Sequence, residues 1–204
     1  MPKRRVLAGA GEKGHQLRAQ GLVQEGVEVV FGYPGGAIMP AYDALPRYPV
    51  RHVLVRHEQG AAHMADGYAR VTGRVGVCEG PSGGGATYLL PGLVEANESS
   101  VPVFGFTSDV PVASRGRYPL TELDQQSLYR PLTKWNGTAN TAAQLPHLVR
   151  SAFRAMTTGR PGAAHLALPF DVLKQPLPDA ELWAQPGHEH WPARRSGPDP
   201  QDVE

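Results

Sequence analysis

The 204-residue chain holds a single cysteine, Cys78, so it cannot build a disulfide framework of its own, and its chemistry belongs in a reducing compartment. No stretch approaches the roughly 18 consecutive apolar residues of a membrane span. The opening MPKRRVLAGAGEKG lacks the apolar centre of a secretory signal. A cytoplasmic protein with no membrane partner is therefore expected. Neither sign of charge dominates either: 20 Lys and Arg stand against 19 Asp and Glu, a net charge of +1. Without a basic field there is nothing to gather a polyanion by counterion release, which excludes nucleic acid as a partner. The length suits one domain with some extension, and 41% hydrophobic residues can bury a core. What the chain has in quantity is glycine and proline, 24 and 20 residues, with six of the glycines in the clusters GYPGG (32–36) and PSGGG (81–85).

Those clusters punctuate an alternating pattern. GHQLRAQGLVQEG (14–26) has helical spacing, VEVVF (27–31) is a short β-branched run, AIMPAYDAL is helical and HVLV extended. EQGAAHMADGYARVTG (helix), VGVC (strand), ATYLLPGLVEAN (helix) and PVFGFT (strand) continue it. A segment without regular period runs from Ser108 to about Thr138; a helix-like AAQLPHLVRSAFRAMTTG and a last strand, Ala164 to Leu168, follow. Strands too apolar for a one-sided sheet, alternating with helices, predict a three-layer α/β/α domain around a mostly parallel sheet. Its expected limits are 14–174, after an N-terminal lead-in at 1–13. Residues 175–204, with six prolines in 30 residues, read as a tail or linker.

Three patterns look chemical at first sight. GAGEKG (9–14) matches a dinucleotide-binding G-x-G-x-x-G, but almost no strand precedes it. GPSGG (80–84) satisfies G-x-S-x-G between an apparent strand and helix, so a serine hydrolase with Ser82 as nucleophile is an outside alternative. It would need an acid from among Asp109, Asp124 and Asp171 and a base from among His165, His188 and His190, none marked by a local signature. His57, Glu58 and His63 form the densest ligand cluster, but a six-residue step places two helical side chains about 240° apart. No metal ligand is expected in this chain.

The stretch VLVRHEQGAAHMADGYARVTG (53–73) carries more weight. A short strand delivers Glu58 to the start of a small-residue helix, at the carboxyl edge where parallel sheets bind ligands. The plainer reading of Glu58 is an acid in a helix's first turn. GYPGG and PSGGGAT end two other strands at the same edge, so three loops converge on one crevice.

Taken in order, QGLVQEGVEVVFGYPGGAIMPAYDAL, RHEQGAAHMADGYARVTG, PSGGGATYLLPGLVEANESSVPVFGFTSDVP, RPLTKWN and GRPGAAHLALPFDV resemble the thiamine-diphosphate-dependent enzymes of the acetolactate synthase, pyruvate oxidase and benzoylformate decarboxylase group. The likeness spans roughly residues 14–173 and is nearest to the acetolactate synthase branch. It implies the pyrimidine-binding domain of the thiamine-diphosphate-binding fold, with Glu58 at the family's cofactor-activating glutamate. That carboxyl group hydrogen-bonds N1′ of the aminopyrimidine and favours the imino tautomer that deprotonates the thiazolium carbon; the cofactor then serves as electron sink for decarboxylation of a 2-oxo acid. By position Tyr33, Pro34 and Gly35 lie along the cofactor, with Gly36 toward substrate. PSGGGAT stands where the family has S-G-P-G-A-T-N, so Gly84 replaces a proline and Tyr88 an asparagine that approach the cofactor. Leu120 and Thr121 stand where acetolactate synthases have the Phe and Gln of F-Q-E, on the substrate side.

The family's G-D-G motif and asparagine, which hold the diphosphate and Mg²⁺, have no match here; the Asp-Gly pair present is Asp66-Gly67. The expectation is one half of a split lyase or transferase, or a fragment of a longer one. It would be inactive alone and shared with a diphosphate-binding subunit, two copies of each, that holds Mg²⁺ and the cofactor's diphosphate. Decarboxylation followed by carboligation is the favoured chemistry. A non-catalytic regulatory or scaffolding homologue is the alternative.

Overall fold

The computed structural model describes residues 6–7, 14–176, 181–194 and 197, so the GAGEKG stretch lies almost wholly outside the described residues. After β1 (Val6–Leu7) come α1 (Gly14–Gln24), β2 (Val29–Gly32), α2 (Met39–Ala44), β3 (Arg51–Leu54) and α3 (Glu58–Thr72). β4 (Gly76–Gly80), α4 (Gly84–Glu98), β5 (Val103–Asp109), α5 (Gln125–Tyr129) and β6 (Trp135–Thr138) form the middle of the chain. α6 (Leu145–Thr157), β7 (Ala164–Pro169), α7 (Phe170–Lys174) and β8 (Glu181–Leu182) complete it. Six strands pair in the order β3-β2-β4-β5-β7-β6, all parallel.

The strands are buried on both faces because their side chains alternate between two cores. Val77, Phe104, Phe106 and Leu166 face α1, α2 and α6, whereas Cys78 and Val103 face α3, α4 and Tyr129 of α5. The three-layer α/β/α arrangement follows, as the alternation of elements predicted. Small residues set how closely the second layer packs. A methyl on Gly76 would overlap the carbonyl oxygen of Ala65, so α3 rests directly on the β4 backbone. A Cβ on Gly92 would sit 2.5 Å from that of Ala62, so α3 and α4 nearly touch. Arg70 ties the pair further, bonding Asp66 at 2.9 Å and Glu95 at 3.4 Å.

Between Ser108 and Thr138 the structure has two elements that the missing period concealed, α5 and β6. β6 is an edge strand, WNGT, whose four residues are all half-buried, so no apolar alternation is imposed on it. α5 has only five residues, too few to show a period; Asp124 caps it by accepting from the Ser127 N–H.

The proline-rich end also differs from a free linker. β8 pairs antiparallel with β1, and the chain then crosses the amino edge of the sheet. Trp183 lies under the Arg150 guanidinium at 4.1 Å, His188 is bonded to Thr157 Oγ1 at 2.6 Å, and the Trp191 N–H donates to the Gly73 carbonyl. These contacts are polar and join this end to residues distant in the chain, so no hydrophobic period announces them. Glu25 is buried beneath this crossing, and burial pushes its carboxyl up to about 8, opposed by Arg150 and reinforced by Glu189. The folded pKa lies above the unfolded one, so Glu25's contribution is full below the unfolded value and is lost as pH rises through about 8. Glu25→Gln is expected to match the wild type near about pH 4 and to be more stable at about pH 9 by on the order of a few kcal/mol. Denaturant melts of both proteins across that range check it.

Candidate active site at the carboxyl edge of the sheet

From β2 the chain passes to β3 on one side and then returns to β4 on the other, so the strand order reverses between β2 and β4. Open parallel sheets bind ligands at the carboxyl ends of strands beside such a reversal. GYPGG leaves β2 and PSGGG leaves β4 at that place, and β3 ends next to them in Val55-Arg56-His57 ahead of α3.

The three loops meet through their glycines. A Cβ on Gly35 would overlap the ring of Pro81, and one on Gly85 would overlap the same ring from α4 and lie 3.0 Å from Glu58 Oε1. The Glu58 carboxyl therefore sits beside the first turn of α4, against a glycine and a proline ring, with the residue only 8% exposed. Glu58 is the first residue of α3 and the acid of its first turn, as the plainer reading has it; the residue before it, His57, is the N-cap, and its Nδ1 accepts the Gln59 N–H at 3.2 Å. The cap hydrogen bond at this end is thus made by His57 and not by the Glu58 carboxyl.

Around it the named residues divide into two groups. Tyr88 leans over the His57 ring, centroids 5.0 Å apart, and is 52% exposed; Gly84, one turn earlier, is open to solvent. Tyr33 and Pro34 are also exposed on their loop. On the far side of Gly35 and Pro81, a cleft of about 270 Å³ gathers Gly36, Leu120 and Thr121 with Ala37, Pro111 and Phe170. Glu58 does not line it. Ser82 does, and its Oγ lies 2.9 Å from Thr121 Oγ1.

Several contributors carried no signal in the sequence. Asp109, at the end of β5, lines the cleft; burial raises its pKa, while the Val110 N–H and Arg115 bond its two oxygens at 2.8 and 3.1 Å. Behind it a more polar recess of about 360 Å³ includes Arg115, Glu122 and Asn140. Gln125 donates to the Ser108 carbonyl and accepts from Thr107, which anchors the loop before α5 to β5. Glu79 on β4 is fully buried, and its side chain fills the space that Gly32 leaves beside it, near His52 at 3.7 Å.

The hydrolase alternative finds no support in this geometry. Ser82 is bonded to Thr121, Asp109 to Arg115 and the Val110 N–H, Asp124 caps α5, and Asp171 accepts from the Val112 N–H. His165 is buried against Tyr129 and bonded to Thr107, and burial drives its pKa down to about 3. His188 is bonded to Thr157.

The carboxyl edge thus carries a glutamate at the head of α3 and two glycine loops beside the β2–β4 reversal. The model for the thiamine pyrophosphate enzyme N-terminal TPP-binding domain matches residues 12–128. The chain belongs to the thiamine pyrophosphate enzyme family. It is 46% identical over 159 residues to a probable acetolactate synthase large subunit of Methanococcus aeolicus, a match covering 78% of this chain and 26% of that one. The corresponding subunit of Methanocaldococcus jannaschii is 46% identical over 160 residues, covering 78% and 27%. The isozyme 2 large subunit of acetolactate synthase from Escherichia coli is 46% identical over 158 residues, covering 78% and 28%. The matched part of the chain thus corresponds to about a quarter of the length of these relatives. Among the described residues no helix is long and apolar enough to cross a membrane.

Proposed function

We propose that this chain provides the pyrimidine side of a thiamine-diphosphate-dependent, acetolactate-synthase-like 2-oxo acid decarboxylase and carboligase. The observation that carries the reading is Glu58, a buried carboxyl at the head of α3 set 3.0 Å from the Cβ position of Gly85. The residues fit an aminopyrimidine. Gly35 and Gly85 keep backbone and Pro81 close enough to form a thin wall, and the open Gly84 and Tyr33 leave the outer side accessible. When bound, thiamine diphosphate supplies an acidic thiazolium carbon and an electron sink for decarboxylation.

Within this frame Glu58 would hydrogen-bond the N1′ atom of the aminopyrimidine, and Tyr33, Pro34 and Gly35 would border the ring. Tyr88 covers the His57 side. A carboxyl this little exposed meets few competing waters when it hydrogen-bonds a ring nitrogen. The diphosphate and Mg²⁺ are held by a diphosphate-binding partner subunit of the same enzyme, in an assembly with two copies of each working in the cytoplasm. A regulatory or scaffolding role is the second reading, favoured by Gly84, Tyr88 and Thr121 in place of the family's usual residues.

Calorimetric titration of thiamine diphosphate with Mg²⁺ separates the two. Catalysis predicts tight binding when the chain is mixed with its diphosphate-binding subunit, and binding weaker by orders of magnitude to the chain alone. Equal, negligible heats in both samples would count for scaffolding.

A further inference from the structure

The 270 Å³ cleft has an uneven chemistry. Ala37, Pro111, Pro119, Leu120 and Phe170 make its walls apolar, and Asp109 has both oxygens engaged by the Val110 N–H and Arg115. Arg115 is committed in turn to Asp109 and to Asn140 at 3.0 Å, and the Lys174 ammonium is stacked on the Phe170 ring, 3.8 Å from its centroid, so no cation is among the described residues that line the cleft. What remains is the hydroxyl pair of Ser82 and Thr121. Two hydroxyls joined by one hydrogen bond use one proton between them, and the other stays available as a donor.

The backbone shows that this pair is held against a local preference. Thr121 has φ 72°, a left-handed conformation that β-branched residues seldom adopt, and Tyr118 nearby has φ 56°. The conformation is secured from the other loop: Gly83, at φ 66°, presents no Cβ, and a methyl there would lie 2.9 Å from Thr121 Cβ. On the opposite side Glu122 accepts the Gly116 N–H at 2.6 Å and fixes the loop's turn. Strain retained in a loop over a cleft marks residues whose placement matters more than their local comfort.

We infer that Thr121, oriented by Ser82, is the specificity-determining residue of this cleft, and that it selects the uncharged, carbonyl-bearing end of a small substrate. The inference rests on the proposed function for its place in a reaction, but its chemistry stands on the cleft itself. A neutral carbonyl oxygen accepts the spare hydroxyl proton while its alkyl part lies on Leu120, Pro111 and Phe170. A carboxylate in the same position lacks a counter-charge and gives up its water without compensation.

The test is a nitrogen-15 NMR titration of the full chain with 2-butanone and with butanoate, probes of matched size that differ in charge. Butanone is expected to shift the amides of Ala37, Val110 and Thr121, and butanoate to need at least about tenfold more for the same response. Ser82→Ala and Thr121→Val should each weaken butanone by about five- to tenfold, and the double variant no more than either, because the hydroxyls act as a pair. Thr121→Gly relieves the positive φ and also lacks the hydroxyl; it should bind like Thr121→Val, which separates the hydrogen bond from backbone strain. Equal binding of butanoate, no cleft response to either probe, or unchanged binding by the variants would overturn the inference. Adding thiamine to the same sample keeps the two readings apart. Shifts at Glu58 and Gly85 without a cleft response to butanone leave the cofactor reading standing and sink this one; a cleft response to butanone with no tight thiamine diphosphate binding in the mixture with the diphosphate-binding subunit sinks the cofactor reading alone.

Discussion

Glu58→Gln is expected to lower turnover of a 2-oxo acid by the assembled enzyme by about 10²- to 10⁴-fold, the range that a positioned acid–base group contributes. Glutamine keeps the shape and a hydrogen-bonding oxygen but cannot exchange a proton with a ring nitrogen. The fold should barely notice. His57, through Nδ1, caps the helix at this end, so the variant loses only the favourable placement of an acid in the first turn, less than about 1 kcal/mol. Steady-state kinetics beside a thermal melt decide the matter: lost turnover with a nearly unchanged melting temperature fits the proposed role. Retained turnover would remove Glu58 from the chemistry, and a large fall in melting temperature would return it to a structural one.

The largest stability effect is expected at Gly76→Ala. Its new methyl would overlap the Ala65 carbonyl oxygen and come within 3.2 Å of Ala65 Cα, all of it backbone that cannot rotate away. Overpacking of this kind costs about 1–3 kcal/mol and occasionally more. With a helix and a strand backbone in opposition the upper end applies, roughly 3 kcal/mol, or about 6–12 °C in melting temperature for a domain of this size. The consequence reaches the site, because α3 must lift from β4 and α3 begins at Glu58. Cofactor affinity is therefore expected to fall together with melting temperature in Gly76→Ala, whereas Glu58→Gln separates turnover from stability. Calorimetry on both variants checks the contrast. A Gly76→Ala protein that melts with the wild type would mean that α3 does not rest on the β4 backbone.

Much of the architecture was legible because it is written in local terms. β2, β4, β5 and β7 are runs of apolar residues that a sheet covered on both faces requires, and the helices between them have enough turns to show a period. The glycine clusters marked the loops, and Glu58 stood out as an acid where a strand hands over to a helix. Short or edge elements were not legible: β6 is half-buried throughout, and α5 has five residues. The contacts of the proline-rich end were equally hidden, since His188 on Thr157 and Trp183 under Arg150 depend on residues about 30 positions away.

The sequence by itself determined the three-layer α/β/α plan, the family, and the three loops from which a site could be built, because each depends on periodicity or on motifs that persist over short spans. Tertiary structure alone decided how those loops are used. That the Glu58 carboxyl is buried beside Gly85, that Pro81 lies between Gly35 and Gly85, and that Ser82 meets Thr121 39 positions away are all outcomes of packing. Close approach across a sheet edge is set by where strands end and which side chains are missing there, and neither quantity has a period along the chain.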